Sequence, residues 1–239
     1  MNRTKIEWCE YTWNPVTGCL RGCPYCYAAN MAHRFEPAAV RSIRETDHTP
    51  QIHAPELRSN TGPFPFGFEP TFHSYRLDEP QRDKHPRMIF VCSMGDLFGP
   101  WVPDDWIQAV FDACEAAPRH LYMFLTKYPE RYSNLYKAGK LPKKENWWYG
   151  STITTGGSRR FPGTINMNTF LSIEPLHEYL DAGLGSFGGD RWIIVGAETG
   201  NRKGKIIPEK AWVDNIVQAA RITHAKDGKF PRPHVPRGK

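Results

Sequence analysis

The sequence predicts a parallel α/β fold, in which strands alternate with helical crossovers. Six short apolar segments have the composition of buried strands, and segments with helical spacing of apolar residues separate most of them. Nearly continuous apolar strands are typical of parallel sheets that are covered on both faces. The chain has 239 residues. That length suffices for one large domain and falls short of the about 250 residues of a typical eight-fold barrel.

Turn and cap signals divide the chain into these elements. The predicted strands are residues 5–14, 88–92, 121–125, 147–153, 169–173 and 192–195, and the predicted helices are residues 27–35, 106–114, 130–136 and 208–222. Asn14-Pro15 closes the first strand. Asp104 or Asp105 is expected to cap the second helix, and Pro208 is expected near the first turn of the last. Short connections between the last strands predict that one or two helices there are reduced to turns.

Residues 36–87 interrupt this alternation. They contain eight prolines, which exclude a long helix or a central strand. Five aromatic residues supply apolar anchors, namely Phe64, Phe66, Phe68, Phe72 and Tyr75. We therefore predict an insertion that packs over the carboxyl ends of the strands. Within it, His73 and Arg76 are expected to be structural rather than to face a substrate.

The net charge of +6 is unevenly distributed. Residues 201–239 contain ten Lys or Arg and three acidic residues, so their charge is +7 and that of the first 200 residues is −1. This segment fits contact with nucleic-acid phosphates or a solvated tail equally well. No apolar run of about 18 residues and no secretory segment is found. We therefore expect no membrane partner and a cytoplasmic protein.

Three cysteines lie within eight positions. Cys19, Cys23 and Cys26 have the spacing C-x3-C-x2-C, and Tyr25 precedes the third. Three thiolates can hold a four-iron cluster and leave one iron without a protein ligand. A zinc site is the alternative, with Cys9 or His33 as a fourth ligand. A disulfide would require an oxidising compartment. The two remaining cysteines, Cys92 and Cys114, lie in apolar patterns and are predicted to be core residues.

This spacing, with an aromatic residue before the third cysteine, resembles the signature of the radical S-adenosylmethionine (radical SAM) superfamily. The whole chain resembles a phage-encoded group of three-Cys-motif proteins of DUF5131 type, from about residue 5 to residue 200. The stretches that carry this resemblance are residues 6–8, 11–15, 26–28, 93–98, 125–127, 172–176 and 195–200. The resemblance implies that the protein acts in a bacterial or phage-infected cell.

The resemblance implies both a fold and a chemistry. The fold would be an open, partial (β/α)6 TIM-like barrel of the radical SAM type over residues 1–200, followed by a basic C-terminal helix and tail over residues 201–239. Cys19, Cys23 and Cys26 would hold a [4Fe-4S] cluster that binds SAM and cleaves it reductively. The resulting 5′-deoxyadenosyl radical would abstract hydrogen from a substrate. An external electron donor is implied, such as flavodoxin, ferredoxin or dithionite.

The remaining site candidates follow predicted strands, because parallel α/β folds gather reactive groups at the carboxyl ends of strands. The candidates for contact with SAM are Tyr25, Ser93, Gly95, Asp96, Thr126, Ser151, Glu174 and Glu198, and those for catalysis are Lys127, Glu174 and Glu198. Six of these residues have a structural alternative. Tyr25 would be a core aromatic, Asp96 a turn cap, Ser151 a strand-end hydroxyl and Lys127 a surface charge. The two glutamates would be members of ion pairs.

The leading substrate hypothesis is a nucleobase, such as a modified thymine in phage DNA, that is rearranged or hypermodified. It follows from the phage-group resemblance and from the basic last 39 residues. A radical SAM lyase that reverses DNA lesions and a modifier of peptides or small metabolites are the alternatives among enzymes. A non-catalytic zinc or Fe–S module that binds nucleic acid is the alternative from another class.

Overall fold

The computed structural model describes residues 1–37, 50–53, 63–162, 167–181, 190 and 192–225. These form two compact units, one spanning Met1–Phe124 and the other beginning at Leu125. The parts of the predicted insertion at residues 38–49 and 54–62, and the tail after residue 225, lie outside the described residues. No helix in these ranges combines the length and the apolar character that crossing a membrane requires.

The fold is mixed α/β and is built on a seven-stranded, mostly parallel sheet. Its strands are β1 (Asn2–Arg3), β2 (Tyr11–Trp13), β6 (Met88–Val91), β7 (Leu121–Thr126), β8 (Trp147–Thr152), β9 (Asn168–Ile173) and β10 (Trp192–Val195), in that order across the sheet. The pairs β2–β6, β6–β7, β8–β9 and β9–β10 are parallel, and the edge pair β1–β2 is antiparallel. The parallel α/β prediction is confirmed at this level.

Five helices lie in the described ranges. They are α1 (Tyr27–Phe35), α2 (Glu79–Arg82), α3 (Asp104–Glu115), α4 (Pro129–Lys137) and α5 (Lys210–Ala225). The predicted cap of α3 is wrong, because the N-cap residue is Pro103 and no side chain caps it. Asp104 and Asp105 lie in the first turn instead, where their negative charge favours the helix dipole. The first predicted strand is also too long, since only its end pairs with β6.

The described part of the insertion belongs to the first unit. It contains β4 (Gln51–Ile52), β5 (Thr71–Phe72), a 3₁₀ turn at Ser74–Arg76 and α2, and β5 lies between β4 and β3 (Val16–Thr17) in a small sheet. This second sheet was not predicted, because two-residue strands leave no periodic signal. Phe64 anchors the insertion: it is buried in one cluster with Ala28 and Ala32 of α1.

The last helix is an integral part of the second unit. Ile216 and Ala219 of α5 are buried in one cluster with Leu171 and Ile173 of β9 and with Leu176, which follows that strand. The domain boundary predicted at residue 200 therefore separates α5 from the strand on which it packs. The described residues 153–162 and 174–181, which flank β9, contain no helix. Residues 163–166, 182–189 and 191 of these connections lie outside the described residues, so the expectation that helices there are reduced to turns stays a prediction.

Candidate functional site

The cysteine loop joins the first strands to helix α1. Residues 19–26 follow β3, and Cys26 is the N-cap residue of α1. Its Sγ accepts a hydrogen bond from the backbone N–H of Ala29 at 3.4 Å, and its own N–H donates to the carbonyl of Cys23 at 3.1 Å. The third cysteine is thus fixed by the first turn of a helix.

Two glycines bring the base of this loop against the carboxyl end of β6. Gly18 and Gly95 form an isolated parallel bridge, and the N–H of Gly18 donates to the carbonyl of Met94 at 2.9 Å. The next residue, Cys19, donates its N–H to the carbonyl of Phe68 at 3.1 Å. Backbone hydrogen bonds therefore position the first cysteine from the loop after β6 on one side and from the insertion on the other.

Asn14 organises the same strand ends. Its buried Oδ1 accepts hydrogen bonds from the Ser93 hydroxyl at 3.2 Å and from the Met94 N–H at 2.9 Å. The Ser93 carbonyl in turn accepts a hydrogen bond from the Tyr27 hydroxyl of α1 at 2.5 Å. The structure therefore brings the predicted site residues Ser93 and Gly95 next to the cysteine loop, within the first unit.

The sulfur environment suits a metal better than it suits free thiolates. All three loop cysteines are half-buried free thiols. Burial above all, and then the charges of Asp96, Cys26 and Cys23, raise the pKa of the Cys19 thiol to about 12. Repulsion between neighbouring thiolates is relieved when they share a cation. Three thiols on one loop are the donor type that holds iron–sulfur clusters, although no three His, Cys, Asp or Glu side chains of the described ranges surround one ion position.

Both fourth ligands considered for zinc have other partners. Cys9 lies before β2, is only 7% exposed, and has a thiol pKa raised to about 12 by burial. A backbone hydrogen bond from Phe90 places that thiol beside β6. His33, in the last turn of α1, lies 3.0 Å from the buried carboxylate of Glu36. The Cys9 thiol is held at β6 and the His33 ring at the Glu36 carboxylate, and neither partner belongs to the cysteine loop.

The structure also defines the surroundings of Asp96 and Tyr25. Asp96 is buried, and its Oδ1 accepts a hydrogen bond from the Phe98 N–H at 3.1 Å, which is the turn cap weighed as its alternative role. The negative charge of Asp96 nevertheless helps to raise the pKa of the Cys19 thiol. Tyr25 is half-buried within the cysteine loop.

In the second unit, Thr126 and Ser151 bond to nearby backbone. Thr126 Oγ1 accepts a hydrogen bond from the Tyr128 N–H at 2.9 Å, at the entry to α4, and Ser151 Oγ accepts one from the Phe161 N–H at 2.9 Å. Both side chains are buried. These bonds match the strand-end alternative given for Ser151. Lys127, between them in sequence, is half-buried.

Glu174 follows β9 directly and lies against the residue that follows β10. Its Oε2 accepts a hydrogen bond from the Ser172 hydroxyl at 3.2 Å. A Cβ on Gly196 would lie 2.5 Å from Glu174 Oε1, so only glycine leaves room for this carboxylate in its present position. The backbone adds two bonds, from Leu176 N–H to the Gly196 carbonyl and from Gly196 N–H to the Ile173 carbonyl.

Glu198 belongs to an ion pair, which is the structural alternative given for it above. Its two oxygens accept hydrogen bonds from Arg202 Nε at 2.6 Å and Arg202 Nη2 at 2.7 Å, and His177 Nε2 lies 3.4 Å from its Oε2. The hydrogen bonds from Arg202 lower the pKa of the Glu198 carboxyl, and His177 adds to this effect. Glu198 is therefore charged at neutral pH and holds the loop after β10.

Sequence reasoning missed Asn14, Gly18, His177 and Arg202. The sequence indicates only that Asn14-Pro15 ends a strand. Nothing in the sequence shows that the Asn14 side chain contacts the residues after β6. Arg202 lies four residues after Glu198, a spacing that suggests a pair only inside a helix. Here the loop makes the pair. The predicted site residues thus fall into two groups, each described within its own unit, and the structure gives most of them a local hydrogen-bonding role.

Comparisons with known proteins give one result. A family model described as a protein of unknown function (DUF5131) matches residues 3–226. Neither the comparison with curated proteins nor the comparison with solved structures found a match. The matched segment contains the cysteine loop, every strand of the seven-stranded sheet except the first residue of β1, and all five helices. The chain therefore belongs to the DUF5131 family.

Proposed function

We propose that the protein is a radical SAM enzyme with an open, partial (β/α)6 barrel. The observation that carries the proposal is the cysteine loop: three free thiols, in the spacing C-x3-C-x2-C, follow β2 and the short strand β3. After the antiparallel edge strand β1, the sheet continues in chain order with six strands, of which β2 is the first. Strand order that follows chain order is typical of singly wound barrels, whereas doubly wound sheets reverse it. The carboxyl end of the first strand is where such folds carry reactive groups.

Cys19, Cys23 and Cys26 would hold the [4Fe-4S] cluster. When bound, this cluster would bind SAM at its open iron and would pass on the electron, from an external donor, that cleaves SAM into methionine and a hydrogen-abstracting 5′-deoxyadenosyl radical. The protein itself would position the cluster and SAM and would exclude water from them. The helix N-terminus fixes Cys26, and the Gly18–Gly95 contact fixes Cys19.

The loop after β6 is the leading candidate for contact with SAM. Asn14 holds Ser93 and Met94, so the backbone around Gly95 is rigid where a polar cofactor would approach. A Cβ on Gly95 would meet the Gly18 carbonyl oxygen at 2.7 Å, so any side chain here would push the cysteine loop away. Tyr25 and Asp96 remain proposals for this contact. Thr126, Lys127, Ser151, Glu174 and Glu198 remain proposals for cofactor or substrate contacts in the second unit.

The proposed substrate is a nucleobase in DNA. Support comes from the charge of +7 over residues 201–239 and from the phage-group resemblance. Radical chemistry suits a carbon whose hydrogen is not acidic, such as the methyl group of thymine. A base in a duplex would have to be unstacked and turned outward before reaction.

Metal analysis and turnover test the proposal together. Protein reconstituted without oxygen should hold about four irons and four sulfides per chain. With dithionite and SAM it should release 5′-deoxyadenosine and methionine, and Cys23→Ala should abolish both the cluster and this release. One zinc per chain would favour the nucleic-acid-binding module instead. Retention of SAM cleavage by Cys23→Ala would refute the ligand assignment.

The substrate needs its own assay. DNA from phage and host is incubated with the reduced enzyme and SAM, digested to nucleosides and examined by mass spectrometry. A new nucleoside, or the loss of a modified one, supports the nucleobase proposal. An unchanged nucleoside profile in the presence of active SAM cleavage would turn the search to peptides or small metabolites.

A further inference from the structure

The loop after β10 has an unusual surface. Residues 199–207, here called the β10 loop, read Thr-Gly-Asn-Arg-Lys-Gly-Lys-Ile-Ile. Ile207 is 72% exposed, more than any other large apolar side chain of the described residues, and its neighbour Ile206 is 37% exposed. Two exposed lysines, Lys203 and Lys205, precede this isoleucine pair. The two isoleucines thus form one exposed apolar pair beside charged side chains, and an apolar area rimmed by polar residues is a feature of interaction sites.

The base of the β10 loop is fixed from inside. Arg202 makes its two bonds to buried Glu198 and also donates to the carbonyl oxygens of Lys203 at 3.4 Å and Gly204 at 3.3 Å. Lys205 Nζ donates to the Gly200 carbonyl at 3.0 Å. Gly200 and Gly204 have φ of 82° and 72°, so glycine permits both bends. The loop is therefore preorganised, and its isoleucine pair is held outward at little cost in conformational entropy.

We propose that the β10 loop is a DNA wedge: Ile206 and Ile207 insert between stacked base pairs while Lys203, assisted by Lys205, contacts the backbone phosphates. Proteins that unstack DNA combine these two features, an apolar wedge and flanking cations. The inference rests on the proposed function for its substrate class, since a base must leave the stack before it can react. Ile206 and Ile207 would then be the residues that open the duplex.

The position of the loop favours DNA over a membrane surface. The β10 loop begins at the carboxyl end of a parallel strand, the edge at which α/β folds bind ligands. Lysine and isoleucine could also contact anionic lipid. However, two isoleucines offer much less apolar area than the interfacial helices that hold proteins on membranes. The net charge of +7 over residues 201–239 is a further attraction for phosphates.

The test uses the full-length protein and a duplex of about two helical turns that contains one 2-aminopurine, whose fluorescence rises when the base unstacks. Fluorescence anisotropy measures affinity, and 2-aminopurine fluorescence measures unstacking. The wild type should bind and should raise the fluorescence. The Ile206→Ala/Ile207→Ala variant should still bind but lose most of the rise. Lys203→Gln should weaken binding and lower the salt dependence of log K by about 1.

Val217→Ala is the matched control, because Val217 is an exposed apolar side chain of the same unit, 39% exposed, and lies on α5 outside the β10 loop. It should leave both signals unchanged. An isoleucine double variant that raises the fluorescence as the wild type does overturns the wedge. Binding to anionic vesicles in place of DNA, lost in the same variant, overturns it in favour of a membrane contact.

SAM cleavage without DNA separates this proposal from the proposed function. It should be unchanged in the isoleucine variant. Absence of SAM cleavage in a wild type that unstacks DNA would refute the enzyme and keep the wedge. Normal SAM cleavage in a wild type that binds no DNA would refute the wedge alone.

Discussion

The backbones of Gly18 and Gly95 meet as those of neighbouring parallel strands do, and neither position has room for a side chain. A Cβ on Gly18 would lie 2.1 Å from the carbonyl oxygen of Glu69, and a Cβ on Gly95 would lie 2.7 Å from the carbonyl oxygen of Gly18. Three segments of the first unit thus converge at the residue before Cys19. The position of the first cysteine is determined by this backbone packing.

Gly18→Ala should therefore destabilise the protein strongly. It adds a clash with backbone to the cost of placing alanine at φ 86°, so we expect a loss of at least about 3 kcal/mol in the free energy of unfolding. Gly22→Ala is the matched control, because Gly22 has φ 69° but nothing lies within 4 Å of the added Cβ. It should cost only about 1 kcal/mol. Denaturant unfolding measures both, and equal losses would contradict the packing described here.

Cys9→Ala should leave the cluster intact. Cys9 is buried and its thiol lies beside β6, so its loss should cost about 1 kcal/mol of stability while iron content stays unchanged. Cys19→Ala, Cys23→Ala and Cys26→Ala should each lose the iron. Iron and sulfide analysis after anaerobic reconstitution distinguishes these sets. Loss of metal from Cys9→Ala would make Cys9 a ligand and revive the zinc alternative.

Stability should fall in mild acid because of His73. This ring is fully buried, 2.9 Å from Thr17 Oγ1 through Nε2 and 2.9 Å from His53 Nδ1 through its own Nδ1. Burial, together with the charges of Arg76 and His53, lowers the pKa of His73 from 6.5 to about 3. Between these values the unfolded chain binds a proton that the folded chain does not. The contribution of the neutral His73 ring to the free energy of unfolding is thus complete above pH 6.5. It falls on acidification by about 1.4 kcal/mol per pH unit.

The measurement compares unfolding free energies at pH 7, 6 and 5 for the wild type and His73→Asn. The variant should start less stable and should show a smaller loss between pH 7 and pH 5. His120, whose pKa burial also lowers, contributes to the slope of both proteins and cancels in the comparison. Exposed His85 provides the control, and His85→Asn should keep the wild-type slope. A slope in His73→Asn equal to that of the wild type would show that His73 is protonated when folded.

Arg202→Gln should loosen the β10 loop. It removes both bonds to Glu198, and the pKa of the Glu198 carboxyl should rise toward its ordinary value, as carboxyl NMR would record. Trypsin should then cleave faster after Lys203 and Lys205, because the loop opens more often. Lys210→Gln is the control: it breaks the exposed pair with Asp214 in α5 and should not change cleavage in the loop. Unchanged cleavage in Arg202→Gln would mean that the ion pair does not hold the loop.

The sequence by itself determined the parallel α/β class, the boundaries of most elements and the separation of the cysteine loop from the core cysteines. Helix α1 was predicted at its observed bounds, residues 27–35, and β10 at residues 192–195. The reason is local. Apolar periodicity and turn residues are written into consecutive positions, and the spacing of Cys19, Cys23 and Cys26 is a property of one short loop.

Only the tertiary structure decided what the polar residues at the strand ends contact. Ser93 meets Asn14 across 79 positions, and Thr17 meets His73 across 56. Ser151 was a cofactor candidate by its place at a strand end, yet its hydroxyl bonds to the Phe161 N–H. Glu198 likewise follows a strand, β10, and its carboxylate is hydrogen-bonded to Arg202. The sequence pattern shows which polar residues follow the end of a strand. Their hydrogen-bond partners belong to chain segments that only folding brings together, and a buried polar group is almost always hydrogen-bonded to such a partner.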